Sequence, residues 1–229
     1  ELINKNPLSE KFDCIYNLNE EHIAVQYCKN RKIPISRWKE LFYTKDSKQL
    51  EQLSEKYNGK LNTNDERLLL SFFDRSGNLI AVSGRTLTDS TLRYLTLRIV
   101  DDVPLIYNLD KIDYSKKIYC VEGPIDSLFL PNCVAVGNAD LKKINSYFAK
   151  ENTILIFDNQ PRNRELTKSM RAAERNGHKI MIWPDSTFEK DINEMILSGK
   201  TPEEVKTIID NNIYSGLSLK MKLNDWCKS

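Results

Sequence analysis

The sequence predicts an α/β protein: a parallel sheet flanked by helices, preceded by an α+β half rich in basic strand residues and followed by C-terminal helices. Three observations carry that expectation. After Lys116, short apolar runs alternate with helical stretches, the order expected of a parallel sheet. Between 67 and 99, three β-rich runs follow a helical N-terminal stretch, which makes that half α+β. Between 117 and 128, an apolar strand runs into an acidic, glycine-bearing turn and then into a helix. In alternating strand and helix sheets, ligands bind outside the carboxyl ends of the strands, so this turn is where chemistry is expected.

In the first half, Asn19 caps a helix expected to run through Asn30, and a second helix starts near Pro34 and Ser36. The second carries Trp38, Leu41 and Phe42, with Trp38 and Phe42 four apart as a core stripe. A third spans 48 to 57 and stops at Asn58-Gly59. Strands follow at 67 to 73, 79 to 84 and 94 to 99, with a turn from Asp74 to Asn78 between the first two. The mixed stretch from 101 to 114 marks the domain boundary.

The second half reads strand 118 to 121, helix from 124, strand 133 to 136, helix 140 to 150, strand 153 to 157, helix 163 to 176 and strand 179 to 183. Gly123 permits the tight turn after the first strand, and Pro124 suits a first helical turn. Gly177 stops the long helix and leaves His178 exposed at its exit. Two further helices are expected, 191 to 197 and 202 to about 223, the last opened by the cap Thr201-Pro202-Glu203-Glu204. The organisation is thus 1–114 as a basic α+β subdomain, 115–185 as the parallel sheet domain, and 186–229 as a helical segment packed on the core.

With 34 basic and 32 acidic residues in 229, the net charge of +2 announces no nucleic-acid partner by itself. The five cysteines form no Cys-x-x-Cys pair and only two histidines could join them, so no zinc is expected in this chain. No apolar run approaches the ~18 residues that span a bilayer, and no signal peptide is visible. The expectation is a soluble cytoplasmic protein without membrane partners. The chain begins with glutamate, as a piece of a longer protein would. No phosphate-binding glycine loop ending in Lys-Ser and no serine or cysteine triad occurs, which removes support for acyl transfer.

Three acids follow three strands: Glu122, Asp158 and Asp191. The topology brings them to one rim, where oxygen-only ligands suit a hard divalent cation, magnesium above all, and phosphoryl-transfer chemistry. Carboxylates at strand ends also serve as helix caps, and the trio rather than any single member carries the functional reading. Asp126 is explained equally well by the helix dipole. Gln160 can offer an amide oxygen but no charge. Lys190 beside Asp191, and Arg162 beside Asp158, place cations where nucleotide phosphates would need them. Upstream, Gly84-Arg85 and Arg93-Tyr94, with Arg67, Arg75 and Arg98, could contact phosphates while Tyr94 stacks on a base. The alternative is a solvated strand face with Tyr94 in the core.

Glu122-Gly123-Pro124-Ile125-Asp126-Ser127-Leu128, Asp158-Asn159-Gln160-Pro161-Arg162 and Lys190-Asp191-Ile192-Asn193 together resemble the Toprim fold of primases, topoisomerases and some nucleases. The strands upstream resemble the basic subdomain of primases, and the likeness to DNA primases of bacterial and bacteriophage type covers nearly the whole chain. That resemblance implies synthesis of short RNA primers from ribonucleoside triphosphates on a single-stranded DNA template, with Mg2+ or Mn2+ and a replicative hexameric helicase as partner. It implies that Glu122, Asp158 and Asp191 bind metal with Asp126 as a further catalytic acid, and that Arg85 and Arg93 bind template or nucleotide. Gln160 stands where most of the family has an acid, which leaves one metal position in question. The zinc-binding domain usual in the family has no counterpart here. A Toprim nuclease or topoisomerase, or a non-catalytic helicase- or nucleic-acid-binding module, would use the same framework differently.

Overall fold

Arg67–Phe73 and Leu79–Thr86, bridged by a turn whose Gly77 takes a φ of +81°, pair antiparallel as the centre of the first of two sheets. The computed structural model describes residues 6–136 and 144–228 of the chain, which divides into two units, Glu1–Asp110 and Lys111–Ser229.

The first unit holds an antiparallel sheet in the order β1 (Asp13–Cys14), β2 (Leu41–Thr44), β3 (Arg67–Phe73), β4 (Leu79–Thr86), β5 (Tyr94–Arg98). Its core gathers Leu8, Phe12, Phe42, Leu50, Leu69, Val82 and Leu97, each buried side chain of this kind contributing about 1.5–3 kcal/mol. Helix α1 (Ile23–Asn30) begins later than its expected cap at Asn19, because the His22 ring accepts the Ala24 amide at 3.2 Å. The second expected helix is a 3-10 segment, Ile35–Glu40, that gives way to strand β2. Trp38 and Phe42 therefore share no helical stripe. Trp38 donates its indole N–H to the Ile33 carbonyl at 3.0 Å, while Phe42 pairs with Leu69 across the sheet. The third expected helix is likewise two 3-10 pieces, Ser47–Leu53 and Glu55–Tyr57. Strand pairing of Leu41–Thr44 between β1 and β3, and tight capping, override the helical spacing in these stretches.

The second unit is built on a sheet ordered β10-β9-β8-β6-β7, from β6 (Ile118–Val121), β7 (Cys133–Ala135), β8 (Thr153–Ile156), β9 (Lys179–Met181) and β10 (Ile213–Tyr214). The first four run parallel, and every residue of β6, β7 and β8 is buried. That burial on both faces explains their unbroken apolar runs. Helix α2 (Arg164–Arg175) lies against β9, with Leu166, Met170 and Ala173 inward and Asn163 capping it through the Glu165 and Leu166 amides. The helix expected from 124 is a single 3-10 turn, Asp126–Phe129. Of the helix expected at 140 to 150, residues 140–143 lie outside the described residues.

The sheet is not wholly parallel. The long last helix expected from 202 is two helices, α4 (Pro202–Asn211) and α5 (Gly216–Trp226), after the short α3 (Ile192–Leu197). Between them Ile213 and Tyr214 form β10, antiparallel to Met181 and Ile180 of β9, and Gly216 takes a φ of +54°. An exposed strand edge is a stronger claim on an Ile-Tyr pair than helix continuation, and the left-handed glycine fixes the break. His178 is buried, not exposed, at 1 % of its surface. Its amide returns to the Ala173 carbonyl at 3.1 Å, so the chain turns directly into β9 and takes the ring inside.

Candidate active site

Because β6, β8 and β9 are parallel, their carboxyl ends share one rim, and β6 and β8 are hydrogen-bonded neighbours there. Glu122 follows β6 directly, and Asp158 comes two residues after β8. Their adjacency is fixed by a bond from the Asp158 amide to the Glu122 carboxylate at 3.2 Å. Asp191 arrives beyond β9 as the cap of α3, its Oδ1 accepting the Glu194 amide at 2.9 Å. Asp126, in the turn after β6, accepts the Asn193 amide at 2.9 Å. One open cleft is lined by all four acids, with Val121, Ile156, Trp183 and Ile192 among its apolar walls.

Gly123 earns its place in this turn by absence of a side chain rather than by an unusual φ. A Cβ there would lie 2.5 Å from Asp126 Oδ2. The same crowding that brings the acids together makes their charges costly. Burial, then the Asp158 charge, raises the Glu122 pKa, against the help of the Asp158 amide. Burial, then the Asp191 charge, pushes Asp126 up to about 7. Burial also raises Asp158, although Lys190 opposes it through an ion pair of 3.1 Å. Burial works against the Lys190 charge in turn, but the Asp158 bond prevails and its pKa rises. Carboxyls held in this way have a use for added positive charge.

The donor set fits a hard divalent cation in kind: oxygen ligands only, in one cleft, with electrostatics that favour a cation. Among the described residues, no group of three or more His, Cys, Asp or Glu is drawn together tightly enough to hold an ion unaided. Magnesium is commonly held by one or two carboxylates with substrate phosphates completing its shell, so an open, under-ligated cleft suits that ion better than a closed cage.

The other expected site residues fall differently. Gln160 is not among the cleft-lining residues, and its side-chain oxygen accepts the Asn163 amide group at 3.0 Å, in front of α2. Arg162 is exposed on the same turn. In the first unit, the Arg85 guanidinium lies 5.0 Å over the Tyr94 ring, Arg93 is exposed, and Tyr94 keeps 37 % of its surface exposed. The Arg85 Nε is buried without a hydrogen-bond partner among the described residues. Arg67, grouped with these on sequence, is fully buried and bound to Asp65, which makes it part of the framework.

Asn159 is the residue that spacing did not single out. Its amide group donates to the carbonyls of Thr187 at 2.9 Å and Glu189 at 3.2 Å, its backbone N–H to Lys190 at 2.6 Å, and its oxygen accepts the Trp226 indole at 3.1 Å. It thereby ties the rim, the loop before Asp191 and α5 together. An asparagine directly after a candidate site aspartate was the available signal.

No family model matches the chain. It is 32 % identical over 216 residues to the DNA primase of Enterobacteria phage T4, an alignment covering 92 % of this chain and 62 % of that protein. The chain thus spans less than two thirds of that relative. Among solved structures it is similar to the Escherichia coli primase catalytic core, with a TM-score of 0.64 and 16 % identity over 91 % of this chain and 79 % of that one. A Pseudomonas aeruginosa DNA primase domain gives a TM-score of 0.66 and 18 % identity over 92 % and 79 %. The catalytic domain of a DnaG primase bound to single-stranded DNA gives 0.63 and 17 % over 91 % and 77 %.

Proposed function

This chain is a relative of the phage T4 DNA primase with the fold of the primase catalytic cores, and on that premise we propose that it polymerises ribonucleotides into short RNA primers on single-stranded DNA. The observation that carries the proposal is the convergence of Glu122, Asp126, Asp158 and Asp191 on one cleft at the carboxyl rim of a parallel sheet. A DnaG catalytic domain of the same fold is known bound to single-stranded DNA, which supports that class of template.

In this function carboxylates from the set Glu122, Asp158 and Asp191 would hold magnesium, or manganese, with substrate phosphates completing its shell and Asp126 as a further catalytic acid, and Lys190 and Arg162 would face the triphosphate. A divalent cation bound there would neutralise phosphate charge and lower the pKa of the attacking 3′-hydroxyl. The chain's own contribution is positioning. The Asp158 amide orients the Glu122 carboxylate, the Asn193 amide orients Asp126, and the cap bond to Glu194 orients Asp191. Arg85, Arg93 and Tyr94 take template or nucleotide phosphates and bases in the first unit, with Arg93 and Tyr94 exposed for that contact. Gln160 supports α2 and contributes no charge to the metal. The corresponding division is 1–114 for template and nucleotide, 115–185 for most of the metal chemistry, and 186–229 as packing helices whose start adds Lys190 and Asp191 to the site. A replicative hexameric helicase is the partner such an activity implies, and the host cytoplasm its place.

The test is incubation with single-stranded DNA, magnesium and labelled ribonucleoside triphosphates. Labelled oligomers are expected, and Glu122→Gln should lower their formation by at least about 100-fold while the protein stays folded. Nicked DNA without incorporation would replace primer synthesis with a cleaving activity.

A further inference from the structure

Phe188 is the most exposed large apolar side chain described, at 90 % of its surface. It sits in the loop between β9 and α3, and the loop is held firmly. The Asn159 amide group grips the carbonyl on either side of it, those of Thr187 and Glu189, at 2.9 and 3.2 Å. Glu189 is anchored in turn by Ser198 and Lys200, each at 2.6 Å. An exposed phenylalanine on a slack loop needs no explanation, but here Asn159 holds the backbone on both sides and the anchored Glu189 carboxylate accepts the Phe188 amide at 3.2 Å, while the ring is left in water. Phe188 does not line the acidic cleft, but its backbone lies close to it along the chain. Lys190, two residues on, pairs with Asp158, and Asp191, three residues on, lines the cleft, so the Phe188 Cα lies within roughly 10 Å of that of Asp191 along the chain.

We infer that Phe188 is a stacking platform for the base of the nucleotide whose phosphates the acidic cleft holds. The inference rests on the nucleotidyl-transfer function proposed above and adds a base-binding residue to it. A phenyl ring offers a face and no hydrogen-bonding groups, so it accepts any base, as copying an arbitrary template requires. The cleft acids and Lys190 deal with the charged end of the nucleotide. Phe188 gives the uncharged end a place to rest, and the Asn159 grip spares most of the ordering cost on binding.

The test is equilibrium binding of ATP and of inorganic tripolyphosphate, each with magnesium and without template, to the wild type, Phe188→Ala and Phe188→Trp. Removing an exposed side chain leaves the fold unchanged. Phe188→Ala should weaken ATP roughly five- to thirtyfold, a loss in the lower part of the stacking range, and leave tripolyphosphate unchanged. Phe188→Trp should restore ATP affinity, with the new indole emission quenched by ATP and not by tripolyphosphate. All four ribonucleoside triphosphates should respond alike. Equal ATP affinity in the wild type and Phe188→Ala, or an equal loss for both ligands, overturns the platform. A wild type that binds neither ligand overturns the proposed function itself, and the two failures are thereby distinguished.

Discussion

Arg67 in the first unit and Asp126 in the second are both charged groups withdrawn from water, and the protein treats them in opposite ways. The Arg67 side chain is fully buried and completely answered: two bonds to the Asp65 carboxylate at 2.8 and 2.7 Å, one to the Gly84 carbonyl at 2.8 Å and one to the Leu92 carbonyl at 3.1 Å. Asp126 has the Asn193 amide, while burial and the Asp191 and Asp158 charges work against its ionisation and Lys190 favours it. Each also needs a glycine for room. A Cβ on Gly84 would sit 2.8 Å from Arg67 Cδ, and one on Gly123 would sit 2.5 Å from Asp126 Oδ2. A charge whose partners are all present ties strands together. A cluster of acids with Lys190 as its counter-charge stores a demand for further positive charge, at some expense of stability.

The largest effect expected of this contrast is on Arg67. Replacing it with methionine keeps the volume but strands Asp65 and the two carbonyls, and should cost about 3–5 kcal/mol. Urea denaturation followed by near-ultraviolet circular dichroism would show it, and a loss below about 1 kcal/mol would mean that Arg67 is not the framework residue its bonds suggest. Gly84→Ala comes next. Arg67 is gripped at its tip and cannot step aside, so the added methyl must be absorbed by the strand pair at about 1–3 kcal/mol. Neither change touches the acids of the second unit.

Asp126→Asn should move stability the other way. The pKa of this acid is raised from the ordinary 3.8 to about 7 in the folded state, so folding favours the protonated form. The stability it contributes is complete below about pH 4 and is lost as the pH rises through about 7. Asparagine stays neutral throughout and can still accept the Asn193 amide. In metal-free buffer at about pH 8 the variant should be more stable than the wild type, on the order of 2 kcal/mol, with the gap closing near pH 4. For Asp65 the sign reverses. Burial works against its charge, but the Arg67 fork with Ser47 and Thr86 prevails and lowers its pKa, so its contribution is present above about 3.8 and disappears on further acidification. Activity should follow neither curve: primer synthesis needs the ionised cleft, so it should be lost on acidification, at a lower pH as magnesium is raised, and be absent in Asp126→Asn. A variant no more stable than the wild type at pH 8 would remove the tension between function and stability from this site.

How far these two environments could be read from the chain differs for physical reasons. The central strands 67 to 73 and 118 to 121 were legible to the residue, since uninterrupted apolar runs leave few alternatives. Glu122, Asp158 and Asp191 were legible as a group because parallel topology sends every strand end to one rim. Arg67 was not. An arginine at a strand start looks the same on paper whether it faces solvent or is clasped by Asp65, and only the pairing of β3 with Gly84 of β4 decides. Asp126 was underrated for a similar reason, because a first-turn aspartate is satisfied by the helix dipole, whereas its 3-10 turn is too short to give much of one. Phe188 carries no periodic signal at all. The helices expected at 36 to 42 and through 213 failed where sheets recruited the residues, a long-range pairing that local spacing does not encode.

Gly123→Ala is the mildest change and the sharpest test of the contrast. Its φ is not positive, so alanine brings no backbone strain and even stiffens the unfolded chain slightly. The clash with Asp126 Oδ2 can be relieved by turning the carboxyl away, since among the described residues its hydrogen bond is the one from the Asn193 amide. Relief by that route should keep the stability change under about 1 kcal/mol. Misplacing the acid by the same movement should still cost primer synthesis roughly 100-fold. The urea midpoint and the primer yield of this variant, set beside those of Gly84→Ala, separate the two roles of an identical added methyl. If Gly123→Ala instead loses stability as Gly84→Ala does and keeps its activity, Asp126 is held as firmly as Arg67, and the acidic turn belongs to the framework.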